Sequence, residues 1–66
     1  MKFIIGDKVK VKQSDDLVRF KNITFTVIEN NNNYIHSVIV QDKYGTMANF
    51  KPDELELINE QIHRTI

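Results

Sequence analysis

Residues Lys8-Val9-Lys10-Val11-Lys12 alternate strictly between charged and β-branched apolar side chains. In an extended chain successive side chains point to opposite faces, so the two valines share one face and the three ammonium groups the other. The segment is therefore read as a half-buried strand whose valine face needs a core to pack against. Gly6-Asp7 just before it is a turn pair, which makes Phe3-Ile4-Ile5 a lead-in that packs beneath the sheet or begins the same bent strand.

Further strands follow at close spacing. Ile23-Thr24-Phe25-Thr26-Val27-Ile28 sets Ile23, Phe25 and Val27 in alternation with two threonines, and its residues have high β-propensity. It is expected to end at Glu29, and the asparagines at 30 to 33, which tolerate positive φ well, read as the loop of a hairpin. Ser37-Val38-Ile39-Val40-Gln41 is a third strand, entered through Tyr34-Ile35-His36 and closed by the turn Asp42-Lys43-Tyr44-Gly45. A fourth covers Thr46 to Phe50. Lys51-Pro52-Asp53-Glu54-Leu55 reads as a 3₁₀ turn, since proline fixes φ for its first position, and leaves Glu56-Leu57-Ile58 for a short last strand. Residues 13 to 22 have no clean period and form the long loop. Residues 59 to 66 are expected to be a mobile tail or a short helical turn.

A chain of 66 residues has room for one domain, and near this length folding buries only about 60% of the unfolded surface. With 41% hydrophobic and 27% charged residues it is too apolar for a disordered segment. The absence of cysteine rules out disulfides and thiolate zinc sites. No apolar run reaches the roughly 20 residues of a membrane helix, and charge follows the initial methionine too closely for a secretory signal, so the expected location is the cytoplasm, without a membrane partner. Abundant Lys, Asn and Ile suggest a low-GC bacterium or one of its phages. The net charge is zero, which speaks against both a DNA mimic and a strongly basic nucleic-acid binder. Residues 1 to 21 nevertheless hold six basic against three acidic side chains, and residues 22 to 66 three against six.

Five short strands with a 3₁₀ turn before the last are the order of an all-β, strongly bent and partly open barrel spanning residues 1 to 58. The opening Phe3-Ile4-Ile5-Gly6-Asp7-Lys8-Val9-Lys10-Val11 resembles that of bacterial SH3-like and KOW-like small barrels. Asp42-Lys43-Tyr44-Gly45 and Phe50 to Ile58 are similar to their last hairpin, 3₁₀ turn and final strand. The resemblance implies a five-stranded SH3-like barrel that binds a partner. The chain departs from KOW modules in having Asp15-Asp16-Leu17 after its first strand in place of a glycine turn, and from peptide-binding SH3 domains in having no tryptophan.

For function, catalysis is the least supported class. His36 and His63 are the only residues of the type that naturally serves as a base near neutral pH, and neither sits beside a nucleophile in a recognisable pattern. Asp15-Asp16 and Asp53-Glu54 are adjacent only in sequence and diverge on a strand or turn. No catalytic residue, metal or cofactor is assigned. Alternate residues on a strand stand about 6.6–6.8 Å apart, so Lys8, Lys10 and Lys12 could track a phosphate backbone, extended by Arg19 and Lys21. The same row could simply protect an edge strand from aggregation. Among the aromatics, Phe3 and Phe25 are in phase with core valines. Phe20, between Arg19 and Lys21, is either a stacking residue or a cap on the barrel, and Tyr44 in its turn is a second exposed candidate. The candidate partner-binding set is thus Lys8, Lys10, Lys12, Arg19, Phe20, Lys21 and Tyr44. The reading favoured is a small non-enzymatic protein-interaction module, an accessory or inhibitory factor of phage or mobile-element type. Its alternative is a KOW-like nucleic-acid binder, and a monomer and a homodimer are both left open.

Overall fold

The valine alternation is buried on one face as expected: Val9 and Val11 are sealed from solvent while Lys8 and Lys10 are exposed. The computed structural model describes residues 3–31 and 33–58; the segment 59–66, read above as a tail and including His63, lies outside the described residues. The strands are β1 (Lys8–Val11), β2 (Phe25–Asn30), β3 (Val38–Gln41), β4 (Met47–Phe50) and β5 (Leu55–Leu57). They form one antiparallel sheet in the order β4-β3-β2-β1-β5, curled but not closed into a full barrel. A 3₁₀ turn at Pro52–Glu54 precedes β5, with proline in its first turn and the Glu54 carboxylate accepting the Lys51 N–H at 2.8 Å. A second one, at Val18–Phe20 in the long loop, had no signal in the sequence.

The core follows from cross-strand pairing on the concave face. Val9 lies opposite Phe25 on β2 and Leu57 on β5, Val11 opposite Leu55, Val27 opposite Val40, and Val38 opposite Phe50. Directly opposed residues have their side chains on the same face, so these pairs stack into one layer, with Leu57 at its exposed margin. Phe3 belongs to no strand, yet its ring is 2% exposed and closes one end of this layer. Its neighbours Ile4 and Ile5 stay in solvent, so the lead-in contributes one ring to the core. Backbone bonds from Gly6 to Val27 and from Val27 to Asp7 lash the lead-in to β2.

β2 runs one residue beyond its expected end because of a bulge. The register with β3 shifts between Val27 and Glu29, leaving Ile28 as the extra residue. Without that shift the strict alternation would aim the Glu29 carboxylate into the core. With it, Glu29 sits opposite Ile39 on the convex face, and Asn30 turns inward opposite Val38. Asn30 then donates its Nδ2 to the Phe3 carbonyl at 2.8 Å, joining positions 27 residues apart. At its other end β2 begins at Phe25, so Ile23 and Thr24 precede it. Asn22 turns the chain there with φ of 64°, the left-handed region. Asn22→Val is expected to lower stability by about 1–2 kcal/mol, whereas Asn22→Gly should be close to neutral; urea midpoints of the two variants measure the difference.

Candidate functional site

The sheet order places β1 between β2 and β5, in the interior of the sheet. Protection of an edge therefore does not explain its lysines. Their surroundings differ. Lys10 faces Glu56 across the β1–β5 ladder, and Lys12 continues that register to Glu54, whose carbonyl accepts the Lys12 N–H at 2.8 Å. Lys10 thus has a carboxylate opposite it on the neighbouring strand, whereas the Glu54 carboxylate is turned to the Lys51 N–H. Lys8 instead extends toward β2, where its Nζ donates to Thr26 Oγ1 at 2.7 Å.

Lys8 lies at one side of a groove of about 440 Å³ on the convex face of the sheet. Thr24 and Thr26 line it from the β2 side, Asn22 and Ile23 from the segment leading into β2, and Asp42, Lys43 and Tyr44 from the β3–β4 hairpin. That hairpin is held by many bonds. The Asp42 Oδ1 accepts the N–H groups of Tyr44 (2.8 Å) and Thr46 (3.0 Å), so its charge is directed into its own turn. Gly45 takes φ of 89°, and Gln41 Nε2 donates to the Gly45 carbonyl at 3.1 Å. On this braced loop Tyr44 is 80% exposed, and the Lys43 ammonium lies 5.2 Å from its ring centroid. An amphipathic ring presented to water by a well-ordered turn loses little entropy when a partner covers it.

The other sequence candidates lie elsewhere. Phe20 is half-buried and folded back onto the core, its ring 5.0 Å from that of Phe50 in an edge-on contact and 6.2 Å from that of Phe25. Of its two readings, the cap is the one this geometry matches. Arg19 lies over the outer side of the same ring at 5.0 Å. Lys21 is exposed and immediately precedes Asn22 at the groove's margin. Tyr44 and Lys8 are thus brought together from opposite ends of the candidate set, while Lys10, Lys12, Arg19 and Phe20 do not line the groove. Thr24, Thr26 and Lys43 were missed. The strand parity that places Lys8 outward also places both threonines outward, and that signal could have found them.

A second hollow, lined by Gln13, Ser14, Asp15 and Val18, contains neither a cation nor an aromatic ring. Among the described residues no three His, Cys, Asp or Glu side chains gather as a metal site would require, and no helix is long and apolar enough to cross a membrane. Compared with protein families, with curated proteins and with solved structures, the chain matches none.

Proposed function

We propose that this domain is an SH3-like, non-enzymatic protein-interaction module that receives a short acidic segment of a partner protein in the groove between Lys8 and the β3–β4 hairpin. The observation that carries the reading is Tyr44: a large ring, 80% exposed on a turn whose own hydrogen bonds leave it nothing to do for the fold. Exposed aromatics in rigid settings are typical anchors of protein interfaces. Beside it, Lys8 and Lys43 supply positive charge and Thr24 and Thr26 supply hydroxyl groups, a set suited to a carboxylate. The composition fits an accessory protein of a low-GC bacterium or its phage, acting in the cytoplasm.

The nucleic-acid alternative draws on the same cations but has less support. Lys10 stands opposite Glu56, which weakens the row as a phosphate track. Stacking platforms for bases should also succeed one another along a strand, and here the exposed rings Tyr34 and Tyr44 lie beyond opposite ends of β3.

The test compares capture from a bacterial lysate by the immobilised domain and by its Tyr44→Ala variant. A hot-spot anchor is worth about 2 kcal/mol or more, so retention of the partner should fall roughly 30-fold, with the urea midpoint unchanged. Equal capture by both proteins would remove Tyr44 from the interface and overturn the reading. Retention of the unmodified domain on an oligonucleotide column at low salt, abolished by Lys8→Glu with Lys10→Glu, would replace it with the nucleic-acid alternative.

A further inference from the structure

Among the described residues the sheet has two open edges, and they differ in a way that singles out one of them. Along β4, the Asp42 N–H bonds to the Thr46 carbonyl at 3.0 Å. Alternation in the ladder then turns the backbone groups of Ala48 and Phe50 toward β3 and those of Met47 and Asn49 toward the open edge. Along β5, the bonds from Lys12 to Glu54 and from Ile58 to Lys8 turn the backbone groups of Glu56 toward β1, so those of Leu55 and Leu57 point to the open edge. The Leu55 N–H is already spent on the Pro52 carbonyl.

Edges are usually protected by charge, proline, a bulge or short length. β5 is three residues long with Glu56 at its centre. β4 is Met-Ala-Asn-Phe, with no charge, no proline and an unbroken register to β3. The arithmetic of self-pairing sharpens the contrast. Two copies of β5 joined through Leu55 and Leu57 would set Glu56 directly against its own copy, which is repulsive. Two copies of β4 joined through Met47 and Asn49 set Ala48 against Ala48 on the two-fold axis, and Met47 against Asn49 of the other copy on both sides.

We infer that the open edge of β4 pairs antiparallel with β4 of a second copy of this chain, in the register that places Met47 opposite Asn49, joining two five-stranded sheets about a two-fold axis at Ala48. The pairing is isologous and closes at two chains. Four residues of strand bury less than the roughly 1,200 Å² of a standard interface, so the dimer is weak and concentration-dependent.

Sedimentation velocity from about 1 µM to about 1 mM tests this. The mass should rise from one chain to two and stop there. Met47→Lys with Asn49→Lys, both at exposed positions, puts lysine against lysine twice and should leave a monomer throughout. Met47→Lys with Asn49→Glu puts lysine against glutamate twice in this register and should restore the dimer. In the unmodified protein, amide exchange at Met47 and Asn49 should slow with rising concentration while that at Leu57 does not, a reading that needs no variant to fold. A monomer at every concentration, a mass beyond two chains, identical behaviour of the two variants, or exchange at Met47 and Asn49 independent of concentration would each overturn the inference.

Discussion

Phe50→Ala should leave much of the population unfolded at room temperature. The ring is 3% exposed, at the end of β4, and meets Phe20 edge-on at 5.0 Å and Phe25 at 5.8 Å. Removing a buried phenyl group costs about 3–5 kcal/mol in lost transfer energy and residual cavity. A chain of 66 residues has on the order of 3–10 kcal/mol in total. The loss is enlarged here because Phe20, held by the 3₁₀ turn of the long loop, rests on this ring and would lose its seat. Far-UV circular dichroism during urea titration measures the effect. Phe50→Leu keeps most of the apolar volume and should lose less than half as much. An unchanged midpoint for Phe50→Ala would mean that the three-ring cluster does not anchor the long loop to the sheet.

Phe3→Ala should be nearly as damaging, although Phe3 belongs to no strand. Segments outside the ladder accept change unless they are tied down, and Phe3 is tied down in two ways. Its ring is 2% exposed within the core, and its carbonyl accepts the Asn30 amide at 2.8 Å. The ring accounts for most of the expected loss, about 3–5 kcal/mol. Asn30→Ala should cost less, because it removes the hydrogen bond together with the Asn30 Oδ1, a buried acceptor with no partner among the described residues. The two sites touch, so the double variant should lose less than the two single losses combined. Urea titration of the three variants provides the comparison, and strict additivity would show that the amide does not help seat the ring.

How much of this was legible in the chain depended on the range of the physics involved. The Lys8–Val11 alternation, the Asp42–Gly45 turn and the Pro52–Glu54 turn are decided by neighbouring residues, and all three were readable. The bulge at Ile28 was not. A glutamate in phase with the core looks like the end of a strand, and only pairing with β3 shows that one inserted residue turns it back to solvent. The position of β1 inside the sheet was equally hidden, because alternation reports which face a residue takes and is silent on which strands lie beside it. For the candidate site, Lys8 and Tyr44 could be named individually. Their meeting in one groove depends on the β3–β4 hairpin standing over the start of β2, a long-range fact that no local pattern encodes. Phe20 sat in a stretch without periodicity, so its turn toward the core could only be one alternative of two.

The interior place of β1 also orders events during synthesis. One flank of this strand is covered by β2, the next strand in the chain, but the other is covered by β5, with Val11 opposite Leu55. The N-terminal strand therefore waits with half of its backbone groups bonded only to water while the next four elements emerge from the ribosome. Closing that long loop is the slow, entropically costly step of such non-local topologies. A nascent chain stalled before Leu55 has β1 as its exposed edge, and in that interval Lys8, Lys10 and Lys12 discourage other nascent chains from adding to it. The lysine row that guards no edge in the finished protein guards one while the protein is being made.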